Sequence, residues 1–83
     1  MHYILTPSAV QSLKKLHVAD RKRIFEKLDF FFTTENPLSF AKHLHESELG
    51  SYRFRVGDFR IIFDVRNDVA DIIMIGNRKD IYK

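Results

Sequence analysis

The chain has 83 residues, with 14 Lys and Arg against 11 Asp and Glu, and a formal net charge of +3. This length suits one small domain over residues 1–83, and the absence of cysteine excludes disulfides and thiolate zinc sites. No run reaches the ~18 apolar residues of a membrane helix, and the N-terminus lacks a secretory pattern, so we expect a cytoplasmic protein that does not contact membranes. The mild positive charge is compatible with nucleic-acid binding but does not indicate it alone.

The predicted elements begin with a short strand, Tyr3–Leu5, which is followed by two helices. Thr6 and Pro7 are typical of a helix N-cap and a first helical position, and Asp20 suits the cap or the first turn of the second helix. An apolar stripe on the second helix faces the core, and the segment 35–37 ends that helix. The members of the stripe are Ile24, Phe25, Leu28, Phe31 and Phe32.

Residues 35–50 are predicted to form a loop, with one helical turn around Phe40–His43. Three strands follow, because runs of alternating residue type are separated by turn-forming residues. These strands are Ser51–Val56, Phe59–Val65 and Val69–Gly76, with turns at Gly57-Asp58 and Asn67-Asp68. The order βααβββ predicts an α+β fold, in which two N-terminal helices pack on one face of a mainly antiparallel four-stranded sheet.

Alternation assigns the strand residues to the two faces of the sheet. With a two-residue turn in the first hairpin, Arg55 lies opposite Arg60. The helix-facing side then holds Tyr52, Phe54, Val56, Phe59, Ile61, Phe63, Val65, Ile72 and Met74. The opposite side holds Arg53, Arg55 and Arg60, together with Ile62, Ile73 and Ile75. The same register sets Asp64 opposite Asp71, a pair that the pattern does not explain.

The three arginines make the second face of the sheet unusual. Like charges at opposed strand positions destabilise a sheet by roughly 0.2–1 kcal/mol per pair, so this concentration of arginine indicates a surface that meets an anion. No further element is predicted to cover this face, and it could receive a polyanion, a partner helix or both. If the last strand runs antiparallel to its neighbour, Arg78 and Tyr82 return to the arginine cluster.

The hairpin from Tyr52 to Phe63, together with the segment Ile75–Tyr82, resembles the RelE/ParE superfamily of bacterial and archaeal toxins. Lys42 and Gly50 fit the spacing of that superfamily, and the resemblance covers essentially the whole chain. It is specific for the superfamily and less specific for the branch. It implies the toxin of a type II toxin–antitoxin system, which needs no metal or other cofactor. RelE-like members cleave messenger RNA on the ribosome and are held inactive by a cognate antitoxin, here expected from the adjacent gene.

The resemblance also implies roles for individual residues. The candidate catalytic residues are Arg78, Tyr82 and Arg60, the candidate RNA phosphate ligands are Arg53, Arg55, Lys42 and Lys79, and the candidate antitoxin contacts are Ile62, Ile73 and Ile75. Arginine forks suit the charge that builds on the phosphoryl oxygens when a ribose 2′-hydroxyl attacks the adjacent phosphate. Neighbouring arginines would favour a phenolate at Tyr82, which makes this residue the candidate base. The implied partners are the antitoxin, messenger RNA and ribosomal RNA, and the free toxin is expected to be a monomer.

One position departs from the pattern of the superfamily. Many relatives carry His immediately before the arginine that follows the last strand, whereas this chain has Asn77, which cannot carry a proton near neutral pH. Two alternatives therefore remain open: a ParE-type inhibitor of DNA gyrase without nuclease activity, and an attenuated, non-toxic member. We also expect no C-terminal helix after the site, because the chain ends at Lys83.

Overall fold

The computed structural model describes residues 1–45 and 47–82, which form two long helices packed on a five-stranded sheet. In chain order the elements are β1 (His2–Leu5), α1 (Pro7–Lys14), α2 (Val18–Thr33), a 3-10 helix (Pro37–Phe40), β2 (Lys42–His43), β3 (Tyr52–Val56), β4 (Phe59–Arg66), β5 (Val69–Asn77) and α3 (Arg78–Ile81). The strand order is β1-β5-β4-β3-β2, with β1 parallel to β5 and the other neighbours antiparallel. The predicted α+β fold is confirmed, with one strand more than expected.

Helix α1 begins at the cap that the sequence predicts. The Thr6 Oγ1 accepts a hydrogen bond from the Ala9 amide at 3.2 Å and donates one to the Ile72 carbonyl at 2.8 Å. One hydroxyl group therefore both starts the helix and ties it to β5, and an N-cap of this kind is typically worth about 1 kcal/mol. The second helix is fastened to the end of α1 by Arg21, whose Nη1 donates to the Leu16 carbonyl at 3.1 Å.

The core lies between the helices and one face of the sheet. The predicted stripe on α2 faces this core, with Ile24, Leu28 and Phe31 buried and with Phe25 and Phe32 partly buried. Phe31 stacks on Phe54 of β3 with ring centroids 4.5 Å apart, and Phe54 stacks on Phe63 of β4 at the same distance. Because a fully buried Phe contributes ~1.5–3 kcal/mol, this aromatic stack fixes the helices to the two strands that carry the arginines.

The predicted register of the central strands is confirmed. The opposed pairs include Val56 with Phe59 and Arg55 with Arg60. Asp64 also lies opposite Asp71, and each carboxylate has its own donor. The Asp64 carboxylate accepts from the Ser51 amide at 2.8 Å, and the Asp71 carboxylate pairs with Arg66 Nε at 2.8 Å. Because other groups engage both charges, the acidic pair is compatible with this register.

A β-bulge changes the faces of the last strand. Ile62 lies opposite Met74 after a shift in register, so Ile73 is an extra residue on β5. Beyond the bulge, Ile75 lies opposite Ile61 and is 2% exposed within the core, whereas Met74 lies on the arginine side. The predicted faces of Ile75 and Met74 are therefore wrong, because strict alternation carries no signal for an inserted residue.

The segment before β3 covers part of the arginine side of the sheet, beyond the arginines themselves. Ile62 is fully buried, because the segment before β3 crosses it: a Cβ placed on Gly50 would lie 2.7 Å from Ile62 Cγ2 and 3.4 Å from Ile73 Cδ1. The exposed apolar strip predicted from Ile62, Ile73 and Ile75 is therefore wrong. Ile62 and Ile75 are buried on opposite sides of the sheet, and Ile73 is half-buried. A loop without periodicity gives no sign of the surface on which it packs.

Two short elements beside this face were not predicted. Strand β2 has two residues and α3 has four, so neither is long enough to show a periodic pattern. The helical turn expected near Phe40–His43 is instead the 3-10 helix Pro37–Phe40. Helix α3 contains Arg78 and Lys79 of the predicted site and does not follow that site, so the expectation of no helix beyond the site stays a prediction. Within residues 1–45 and 47–82, no helix has the length and apolar character needed to cross a membrane.

Candidate active site

Six of the seven predicted catalytic and phosphate-binding residues line one open pocket on the arginine side of the sheet. The pocket has a volume of about 770 Å³, and its walls are formed by Leu44, Arg53, Arg55, Arg60, Arg78, Lys79 and Tyr82. Strands β3 and β4 supply three of the arginines, while α3 and the residue after it supply the other charged groups and the phenol. Among the residues that the structure describes, the wall therefore has five cationic side chains and no acidic one, which suits an anionic ligand.

The tight turn between β3 and β4 positions the most buried arginine. Gly57 in this turn has a φ of 59°, which glycine adopts without strain. Arg60 is 5% exposed, and its Nη1 donates to the carbonyls of Gly57 and Phe59 at 2.9 and 3.0 Å. Burial lowers the pKa of the Arg60 guanidinium from its ordinary value, and the charges of neighbouring arginines lower it further. These neighbours are Arg55, Arg53 and Arg78.

Helix α3 brings the C-terminal residues back to the hairpin. Asn77 caps this helix, with its Oδ1 accepting a hydrogen bond from the Lys79 amide at 3.0 Å. The Arg78 amide donates to the Asp58 carbonyl in the β3–β4 turn at 2.9 Å, and Ile81 is 7% exposed. The return of Arg78 to the arginine cluster, predicted from an antiparallel last strand, is confirmed by these contacts.

A hydrogen bond joins two walls of the pocket. The Arg53 Nη1 donates to the Tyr82 hydroxyl oxygen at 3.3 Å, and Tyr82 is 44% exposed. The Arg53 Nε is buried without a hydrogen-bond partner in the described part of the chain. A guanidinium directed at a phenol oxygen stabilises negative charge that develops on that oxygen. Tyr82 thus remains accessible to a ligand while one edge of Arg53 supports it.

Leu44 lies on the pocket wall, whereas Lys42, which was predicted to bind phosphate, does not. Lys42 lies opposite Arg53 in the β2–β3 pair but does not line the pocket. Leu44, which the sequence did not single out, does line it, and its amide donates to the Ser51 carbonyl at 2.7 Å. Because β2 has only two residues and ends before Leu44, the sequence carries no periodic signal that could have identified Leu44 as a wall residue.

The chemistry of the wall favours phosphate binding. Guanidinium forks match the oxygen geometry of a phosphate and keep their charge throughout the physiological pH range. Among the described residues of the wall, Lys79 and Tyr82 are the side chains other than arginine that carry a polar group able to contact a ligand. Among residues 1–45 and 47–82, no group of three or more His, Cys, Asp or Glu side chains is arranged to hold a metal ion.

Comparisons with known proteins relate the chain as a whole to a family. A family model described as the ParE toxin of the type II toxin–antitoxin system parDE matches residues 3–82. The fold is similar to that of the toxin–antitoxin complex RelBE2 from Mycobacterium tuberculosis, with 22% identity, a TM-score of 0.78, and coverage of 93% of this chain and 96% of that chain. No curated protein matches the sequence.

Two archaeal structures are similar over the same extent. The RelB–RelE antitoxin–toxin complex from Methanococcus jannaschii has 25% identity and a TM-score of 0.74, covering 95% of this chain and 94% of that chain. The RelE–RelB complex from Pyrococcus horikoshii OT3 has 25% identity and a TM-score of 0.68, covering 93% of this chain and 92% of that chain. Each match spans nearly the full length of both chains, so the fold is shared as a whole rather than through one motif.

Proposed function

Because the chain belongs to the ParE toxin family of type II toxin–antitoxin systems, we propose that this toxin cleaves messenger RNA on the ribosome at its cationic pocket. The observation that supports this most is the gathering of five cations and Tyr82 around one open pocket. A single-stranded RNA offers a row of phosphates, and binding it offsets the repulsion between the arginines. The resemblance of the hairpin and the C-terminal segment to RelE-like toxins supplies the reaction.

In the proposed reaction, the ribose 2′-oxygen attacks the adjacent phosphorus and the bond from phosphorus to the 5′-oxygen breaks. The products are a 2′,3′-cyclic phosphate and a 5′-hydroxyl. Tyr82 is the base that takes the proton from the 2′-hydroxyl, and a water molecule protonates the leaving 5′-oxygen. The hydroxide left by that water then takes the proton from Tyr82, which restores the enzyme. Arg78, which is exposed on α3, stabilises the charge on the phosphoryl oxygens, a type of contribution that typically amounts to about 10²–10³ in rate per donor.

The three other arginines of the pocket contribute differently from Arg78. Arg53 and Arg55 bind flanking phosphates, since they project from β3 into the pocket and retain exposed surface. Arg60 is almost completely buried and bonded to the turn carbonyls. Its contribution is a fixed positive field behind the phosphate rather than a mobile contact. Lys42, at the rim beside Arg53, would meet the backbone of a longer RNA.

The antitoxin is proposed as the physiological partner of the same pocket. The three structures compared above are toxin–antitoxin complexes. An acidic antitoxin segment would neutralise the five cations and exclude RNA. Ile62 and Ile75 are too deeply buried to add apolar contacts, which leaves the half-buried Ile73 from the predicted set.

A second candidate function is the inhibition of DNA gyrase without RNA cleavage. It is favoured by the ParE family match and by Asn77, which replaces a residue that could carry a proton. Purified toxin added to a gyrase supercoiling reaction separates the two proposals. Inhibition of supercoiling with no new RNA ends would support the second and contradict the first.

The ribonuclease proposal is tested by inducing the protein in growing cells and mapping the 5′ ends of messenger RNA. We expect new ends within reading frames, and we expect Arg78→Ala and Tyr82→Phe each to reduce their yield by at least about 10²-fold. Tyr3→Phe is the matched control, because Tyr3 lies on β1, away from the pocket. The substitution removes a phenol hydroxyl that donates a hydrogen bond to Asp29 at 2.9 Å. Growth arrest without new ends would contradict the proposal.

A further inference from the structure

Asn77 does more in this fold than replace another residue. It is the last residue of β5 and the N-cap of α3, and its Oδ1 accepts from the Lys79 amide at 3.0 Å. The residue is half-buried and does not line the cationic pocket. Asn77 lines a separate pocket of about 430 Å³, and the hydrogen bond of its side chain is to the backbone of α3.

Helix α3 depends on such contacts because it is short. A helix of one turn has almost no intrinsic stability, since the cost of nucleation is not recovered by so few hydrogen bonds. Beyond the cap, α3 is held by the Arg78 amide, which donates to the Asp58 carbonyl, and by the burial of Ile81. The Tyr82 amide completes the turn with a long bond of 3.4 Å to the Arg78 carbonyl.

The same turn and the residue after it supply three of the seven described residues of the pocket wall. Arg78 and Lys79 belong to α3, and Tyr82 follows it directly and meets Arg53 at 3.3 Å. If α3 unwinds, all three leave the wall together, whereas the arginines of the hairpin stay. The order of this one turn thus decides whether the wall is complete.

We infer that Asn77 is a positioning residue: its side-chain cap holds α3 against the β3–β4 turn and keeps Arg78 and Tyr82 at the pocket. This inference rests on the proposed function for its effect on RNA cleavage but not for its effect on α3. The departure from His at this position then has a structural reason, since a short amide oxygen reaches the Lys79 amide and an N-cap strongly favours Asn.

The test compares Asn77→Ala with Asn77→Ser, which keeps a short oxygen acceptor. Amide hydrogen exchange is measured on the free protein, followed by the rate of messenger RNA cleavage on programmed ribosomes. In Asn77→Ala we expect exchange at Lys79 to be about fivefold faster, as for the loss of a typical cap. The cleavage rate at saturating ribosome should fall by about twofold to fivefold, with little change in the half-saturating concentration, because the hairpin arginines still bind RNA. Asn77→Ser should restore both values.

Asn36→Ala is the matched control. Asn36 also stands at the N-cap of a short helix, Pro37–Phe40, but makes no side-chain cap hydrogen bond, so exchange at residues 78–82 should be unchanged. Unaltered exchange at Lys79 in Asn77→Ala would overturn the inference, whether or not the wild-type protein cuts RNA. If the exchange result holds and wild-type protein cuts no RNA, the cap is supported and the ribonuclease proposal alone fails. If Asn77→His cleaves faster than wild type while Asn77→Ser is as slow as Asn77→Ala, a role in proton transfer replaces positioning.

Discussion

At the scale of single residues, this protein uses similar groups for different purposes according to their burial. Arg60 and Arg55 lie opposite each other across the hairpin, yet Arg60 is buried and bonded to backbone carbonyls while Arg55 is exposed. Burial lowers the pKa of Arg60, and the positive charge of Arg55 lowers it further, as expected for like charges at opposed strand positions. The carbonyls of the turn offset part of that repulsion, which leaves Arg55 free to meet a ligand.

Tyr3 gives a prediction about pH dependence at this scale. Burial, together with the hydrogen bond to Asp29 and its negative charge, raises the pKa of Tyr3 from 10.0 to about 12. A raised pKa means that the folded protein holds this proton more tightly than the unfolded chain does. The resulting stability is fully present below pH 10 and is lost as the pH rises through about 12.

The free energy of unfolding is measured by urea denaturation at intervals from about pH 9 to about pH 12. This range begins below the tyrosine pKa of the unfolded chain and ends near the raised pKa of Tyr3 in the folded protein. We expect the free energy of unfolding of the wild type to fall across this range more steeply than that of Tyr3→Phe. Equal slopes for the two proteins would mean that the Asp29 contact does not hold the phenol proton. Tyr82→Phe serves as the comparison for a tyrosine on the pocket wall.

At the scale of elements, the longer units were predictable and the shorter ones were not. The stripe on α2 and the alternation in β3 and β4 repeat often enough to specify their faces, and both were confirmed. The bulge at Ile73 depends on one inserted residue. Helix α3 depends on the Asn77 cap, on the Asp58 carbonyl in the β3–β4 turn and on the buried side chain of Ile81. Such elements are stabilised by tertiary contacts that leave no periodic trace in the sequence.

The loop before β3 gives a prediction at this scale. Gly50 lies directly over the arginine side of the sheet, and a Cβ there would be 2.7 Å from Ile62 Cγ2 and 3.4 Å from the Phe63 carbonyl oxygen. Ile62 is fully buried and cannot move aside freely. We therefore expect Gly50→Ala to lower the free energy of unfolding by about 1–3 kcal/mol, the usual cost of overpacking.

Urea unfolding at neutral pH measures this change, with Gly76→Ala as the control. A Cβ on Gly76 would meet Ile81 Cγ1 at 3.4 Å, an ordinary contact with a side chain, so its cost should be smaller than about 1 kcal/mol. Similar losses for the two variants would mean that the loop does not pack on Ile62 as described. The outcome also bears on the partner, because this loop removes Ile62 from any antitoxin surface.

At the scale of the whole molecule, the sheet separates two environments. Helices α1 and α2 bury one face, and the other carries the cationic pocket at one end and the covered Ile62 further along. The excess of positive charge in the chain is small, at +3, whereas five cations share one pocket. The sequence predicted this concentration through the hairpin register. It could not predict Leu44 or the completeness of the wall, which depend on the edge strand and on α3.

The concentration of charge leads to a prediction about salt. Each cation that neutralises a phosphate of single-stranded RNA adds about 0.7 to the slope of log affinity against log salt. We expect Arg55→Gln to reduce the magnitude of this slope by about 0.7 for a labelled RNA oligonucleotide, because Arg55 is exposed on the pocket wall.

Lys22→Gln is the control, because it removes an exposed cation from α2, across the sheet from the pocket, and should leave the slope unchanged. If Arg55→Gln has the slope of the wild type and Lys22→Gln has a smaller one, the RNA binds along the helices and not at the pocket. Arg60→Gln should change the slope less than Arg55→Gln, because a buried cation bonded to the β3–β4 turn carbonyls releases few counterions.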